Sequence, residues 1–175
     1  DHGVAFSLKH ISWATKEAWA PDCIKRNGMY YFYYPVEHSK IGVAVSKQPY
    51  GPFKDPLDSA LIHVKSKGVV CTRDFIDPAV FIDDDGQAYL YMGQLVVNAI
   101  KLNEDMISYD GNVHLLKGTD DFFEAVWMHK YKGTYYLSYA SNSGHIKYCT
   151  SKNPLGPFTY RGIILRPMNS GTNHH

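Results

Sequence analysis

The stretch Phe75 to Met92, FIDPAVFIDDDGQAYLYM, decides the fold. It reads as a strand-like apolar run, a turn at Asp85-Gly86 and a second strand, Ala88 to Met92, that is rich in aromatics. Asp-Gly suits a two-residue hairpin because both central residues need positive φ. The same order recurs on either side. Upstream, Ala18 to Tyr34 reads AWAPDCIKRNGMYYFYY, with its turn at Asn27-Gly28; downstream, Phe122 to Tyr139 reads FFEAVWMHKYKGTYYLSY, with its turn at Lys132-Gly133. A third strand is expected in each unit, at Gly42 to Ser46, Val96 to Leu102 and His145 to Ser151.

A second echo gives the period. SKQPYGPF at Ser46 to Phe53 returns as SKNPLGPF at Ser151 to Phe158, an offset of 151 − 46 = 105 residues, or two units of about 50. Short alternating runs dominate and sustained helical periodicity is scarce, so the chain reads as all-β. Units of this size, built from several strands each, are the pattern of β-propeller blades. A β-sandwich is the competing architecture. It does not explain why the turns and the Gly-Pro-Phe echoes keep the same order within each unit.

Composition bounds the function. The 175 residues are 45% hydrophobic and 20% charged, with a formal charge of +1 and no stripe of Lys or Arg, so nucleic-acid binding has no electrostatic support. No apolar stretch approaches the roughly 20 residues that a membrane-spanning helix needs. The 14 Tyr and three Trp suit sheets and also suit flat sugar faces. Cys23, Cys71 and Cys149 form neither a disulfide framework nor a zinc pattern, and Cys23 and Cys149 are expected to be buried in strands.

Superposing the three units places Ala20, Asp77 and Glu124 at equivalent positions, each at the start of a blade's first strand. In a propeller that strand lines the axis, so equivalent positions converge on one funnel. Asp77 follows Phe75-Ile76 and Glu124 follows Phe122-Phe123. A carboxylate among apolar neighbours is costly unless it has a partner or a task. Glycoside hydrolysis is such a task, since it needs a protonated carboxyl and a second carboxylate. On spacing alone, Asp77 as a turn residue before Pro78 and Glu124 as a solvated group stay open.

These segments together resemble glycoside hydrolase family 43, five-bladed propeller enzymes acting on xylosides and arabinosides. WAPD at Trp19 to Asp22, IDPAVFIDDDGQAYLYMG at Ile76 to Gly93, FEAVWMHKYKGTYYLSYAS at Phe123 to Ser141 and GTNHH at Gly171 to His175 follow the family's order. The resemblance implies that residues 1–175 are one incomplete propeller domain of about three and a half blades, lacking the first and last. It implies that Glu124 is the general acid and that Asp77 raises its pKa and orients it. It further implies an inverting reaction without a glycosyl-enzyme, with a xylo- or arabino-oligosaccharide as substrate. His174, or the adjacent His175, matches a histidine near an axial calcium; no cofactor is required for the chemistry. The family's general base is an Asp expected upstream of residue 1, and neither Asp1 nor Asp22 stands in its context. Val126 replaces a frequent Pro, with little effect expected.

Trp19 and Trp127 flank the equivalent positions and are candidates for stacking on sugar, with core packing as the alternative. Asp83-Asp84-Asp85-Gly86 reads as a hairpin turn, since it lacks the alternation and closing Glu of a calcium loop. His129 and His145 read as exposed or satisfied strand residues. A carbohydrate-binding propeller without catalysis is the rival function; a Trp-Asp-repeat interaction propeller predicts strand endings that are not present.

Overall fold

The hairpin signals fold as their residues dictate. The structure is a computed structural model that describes residues 2–167. Asn27 and Gly28 sit at φ 51° and 79°, and Lys132 and Gly133 at 47° and 69°. Both pairs make two-residue turns, closed by Arg26 opposite Met29 and by Tyr131 opposite Thr134. The middle unit departs from the expected two-residue turn. Only Gly86 of its loop has positive φ, at 86°, and Asp84, Asp85 and Gly86 form a three-residue connection. The Asp83 N–H donates to the Gln87 carbonyl at 2.9 Å, and the Gly86 N–H to the Asp83 carbonyl at 2.9 Å.

Three antiparallel sheets of four strands result. The first contains β1 (Asp22–Arg26), β2 (Met29–Val36), β3 (Lys40–Ser46) and β4 (Ile62–His63). The second contains β5 (Ala79–Ile82), β6 (Ala88–Met92), β7 (Asn98–Leu102) and β8 (His114–Leu115). The third contains β9 (Phe122–Tyr131), β10 (Thr134–Ser141), β11 (Ile146–Ser151) and β12 (Thr159–Leu165). Each sheet runs in chain order, and β1, β5 and β9 are neighbours, as the inner strands of successive propeller blades must be. The two echoes adopt one backbone: Gly51 and Gly156 lie at φ 82° and 79°, the next peptide bond is cis in both, and Phe53 and Phe158 are buried. A start of a fourth blade was expected at Gly171 to His175, which lie outside the described residues.

Period-2 burial explains the tyrosines. Tyr31 and Tyr33 of β2 face a core shared with the second sheet, while Tyr30, Phe32 and Tyr34 face a core with Phe53 and Trp13. Buried phenols need acceptors. The Tyr33 hydroxyl donates to the Met106 carbonyl at 2.7 Å, and that of Tyr91 to the Pro154 carbonyl at 3.0 Å. Each bond leaves the second strand of one blade and ends in a loop of the next, so these tyrosines tie blades together.

A polar tie was not foreseen. Asp83, read as a turn residue, is buried, and it accepts from Lys130 at 2.6 Å and from the Tyr135 hydroxyl, both in the third blade. Burial pushes the Asp83 carboxyl up, but the bonds from Lys130 and Tyr135 outweigh it and hold the group below its ordinary value. Cys149 is buried, which pushes its thiol up to about 12. Cys23 corrects the expectation: it lies in β1 but is exposed, because the burial in that strand falls on Asp22, Ile24 and Arg26. His129 is exposed and stacks on Tyr136, with ring centroids 5.1 Å apart. His145 is half-buried, with Nδ1 3.2 Å from the Ser143 hydroxyl.

Candidate active site

The equivalent positions do converge, by different local means. Ala20 precedes β1, and Asp77 precedes β5 by two residues at φ 52°. Glu124 is the third residue of β9, at a bulge: Trp127 opposes Ser138 and Glu124 opposes Ala140, so β9 carries one extra residue. Ala125 absorbs it at φ 56°. Bulges re-aim side chains at functional sites, and a β-carbon residue holds a left-handed conformation only where its surroundings enforce it.

Asp77 supplies that enforcement. Its Oδ2 accepts from the Ala125 N–H at 3.0 Å, across 48 residues of sequence. One carboxylate thus fixes the backbone beside the other. Asp77 is therefore both the residue before Pro78 and a clamp between blades. Glu124 is half-buried, and its Oε2 accepts from Gln94 Nε2 at 2.7 Å.

Asp22 makes the analogous bond one blade earlier. Its Oδ2 accepts from the Val80 N–H at 2.8 Å and its Oδ1 from the Cys23 N–H at 2.7 Å. Burial raises the Asp22 carboxyl above its ordinary value, against the pull of those two bonds. With a backbone bond to each oxygen, Asp22 is a clamp.

A cavity of about 1070 Å³ opens over these strands, walled by Trp19, His38, Asp74, Asp77, Glu124 and Trp127 among others. Trp19 and Trp127 are 44% and 47% exposed, so neither is a core residue. Trp19 meets His38 edge-on at 4.1 Å. His38 Nδ1 lies 3.0 Å from Asp74 Oδ1, and its Nε2 lies 3.3 Å from Glu17 Oε2. Gln94, His38 and Asp74 escaped sequence reasoning. Gln94 has one signal, a polar residue directly after the aromatic strand and Gly93; the His38–Asp74 pair has none, because its members lie 36 residues apart in sequence.

Among the described residues, no group of three or more His, Cys, Asp or Glu side chains is placed to hold a metal ion. His174 and His175, the candidate calcium neighbours, lie outside the described residues.

Known proteins resemble this chain in sequence and fold. The family model for glycosyl hydrolases family 43 matches residues 2–169. A xylosidase/arabinosidase of Bacteroides ovatus is 36% identical over all of this chain and 65% of its own length. Xylosidase/arabinosidase 43A of Humicola insolens is 35% identical over all of this chain and 66% of its own length. Among solved structures, an α-L-arabinofuranosidase from Clostridium thermocellum superposes with a TM-score of 0.88 at 43% identity, covering 98% of this chain and 60% of that one. A β-xylosidase/α-arabinofuranosidase from a compost metagenome, in complex with xylotriose and in a calcium-free form, gives 0.86 at 37%, covering 100% and 65%. The chain thus spans about two thirds of the length of the relatives it matches. The three blades of the described residues are part of a five-bladed propeller. On the matched residues and the shared fold, the chain belongs to glycosyl hydrolase family 43.

Proposed function

We propose that the protein hydrolyses glycosidic bonds of xylose- or arabinose-containing saccharides with inversion, and that this chain supplies its general acid, Glu124. The observation that carries the proposal is the bond from the Ala125 N–H to Asp77, which ties one carboxylate to the residue beside Glu124 on the next blade, with both carboxylates lining one cavity. Glu124 donates its proton to the leaving oxygen. Asp77 holds the bulge that aims Glu124. Trp19 and Trp127, exposed on the cavity wall, stack on sugar rings. The base is a third carboxylate, sought in the part of the relatives that this chain does not match. It activates water on the opposite face of an oxocarbenium-like transition state, with acid and base roughly 6.5–9.5 Å apart. The relatives named for xylosidase and arabinosidase activity support both sugars. Calcium enters the proposal only through His174, supported by a relative described in a calcium-free form, and no step depends on it. Residues 1–175 act as one portion of a single propeller domain.

The test is proton NMR of the first sugar released by the full-length protein from a β-xyloside. Inversion predicts α-xylose before mutarotation. β-Xylose released first contradicts the mechanism, and sugar binding without turnover favours a carbohydrate-binding propeller.

A further inference from the structure

We infer that Gln94 is a positioning residue that holds one oxygen of the Glu124 carboxyl and so aims the acid; the inference rests on Glu124 being the general acid. Gln94 sits in the loop between β6 and β7, and three backbone bonds strap that loop to the site. The Gly93 N–H donates to the Ile76 carbonyl at 2.8 Å, the Gln94 N–H to the Asp74 carbonyl at 3.1 Å, and the Leu95 N–H to the Phe123 carbonyl at 2.8 Å. Ile76 and Phe123 directly precede Asp77 and Glu124. The loop is therefore registered against both carboxylates at once. Gly93 makes the turn at φ 122°, where a β-carbon would stand 2.5 Å from the Val96 carbonyl oxygen.

The side chain continues this logic. Gln94 is 4% exposed, and its Nε2 donates to Glu124 Oε2 at 2.7 Å. A primary amide nitrogen only donates. In this orientation of the amide Oε2 is the acceptor, and a proton on Oε1 leaves the bond intact. The far end of the amide does not compete: Gln94 Oε1 is buried and has no hydrogen-bond partner among the described residues. The contact with Glu124 thus sets the amide's orientation. Through this bond Gln94 holds one carboxyl oxygen of Glu124 and so aims the acid at the leaving oxygen.

The test compares two leaving groups in the full-length protein. Gln94→Met keeps the side chain's length and removes the donor. On xylobiose, whose departing sugar needs the proton, kcat should fall about tenfold or more. On 2,4-dinitrophenyl β-xyloside, whose leaving group departs unassisted, it should stay within about threefold. Equal losses on both substrates, no loss, or a gain on xylobiose overturns the inference. Gln94→Glu is the second variant, for use if the first does not fold. Two carboxyls in hydrogen-bond contact share one proton, so it too should lose xylobiose activity selectively. Glu124→Gln on the same pair separates the two levels. If it loses both substrates equally, the acid assignment fails; if it is selective and the Gln94 variants are not, only the role of Gln94 fails.

Discussion

Asp77→Ala removes the acceptor that holds Ala125 at φ 56°. A hydrogen bond to a charged acceptor is worth about 1.5–3 kcal/mol. Holding a residue with a β-carbon in the left-handed region costs about 1–2 kcal/mol. The first term is large enough to balance the second, so without Asp77 the bulge should relax toward extended backbone and swing Glu124 out of aim. If the lost bond appears as lost transition-state stabilisation, kcat/KM falls by about 10- to 150-fold, at about 1.4 kcal/mol per factor of ten. Asp77→Asn keeps a neutral acceptor of roughly half the strength, so its loss should be about 3- to 12-fold. The assay is xylobiose hydrolysis by the full-length protein, with a thermal melt of each variant as a control for folding. If Asp77→Asn falls as far as Asp77→Ala, Asp77 acts through its charge and not by holding the bulge. If Asp77→Ala stays within threefold of the unaltered protein, the positioning argument is wrong.

Three further outcomes follow from the geometry. Trp19→Ala and Trp127→Ala should each raise KM by about 2- to 12-fold, the equivalent of an aromatic contact of about 0.5–1.5 kcal/mol, with a smaller change in kcat; unchanged KM for both would place the sugar elsewhere. Gly93→Ala meets the Val96 carbonyl oxygen at φ 122° and should lower stability by at least about 1–2 kcal/mol, read as a lower midpoint in urea; an unshifted midpoint would show that the loop has room. The Asp83–Lys130 pair should stabilise the fold over a defined pH window. Asp83 is held below its ordinary value, so its contribution is complete above the unfolded value of about 3.9 and is lost as pH falls through the folded value. Lys130 is raised by its bonds to Asp83 and Asp84, so its contribution is complete below about 10.4 and is lost as pH rises further. Asp83→Asn should lower the melting temperature at pH 7 and flatten its decline below about pH 4; a melting curve unchanged at pH 7 would contradict this.

What the sequence revealed and what it hid divide along one physical line. Features inside a blade were legible. Asn27-Gly28 and Lys132-Gly133 marked their turns because few residues tolerate the required φ, and β2 declared its two faces through Tyr30 to Tyr34. That Asp77 and Glu124 meet in one cavity was legible because a repeat maps equal positions onto equivalent places. Features between blades were not. The bonds from Val80 to Asp22, from Ala125 to Asp77 and from Lys130 to Asp83 span 58, 48 and 47 residues. No short-range pattern encodes such distances. Gln94 belongs with them, since its partner is 30 residues away on the next blade. Cys23 misled for a related reason: alternation decides which faces a strand has, but its outward face is set by neighbours that spacing does not specify.

The most direct test is the dependence of kcat/KM on leaving-group pKa, measured for the full-length protein and for Glu124→Gln with a series of aryl β-xylosides. With Glu124 as the acid, the unaltered protein gives a shallow slope, because the departing oxygen is protonated as it leaves, and the variant gives a steep one. Parallel slopes, with the variant lower by the same factor throughout, would remove Glu124 from the role of general acid.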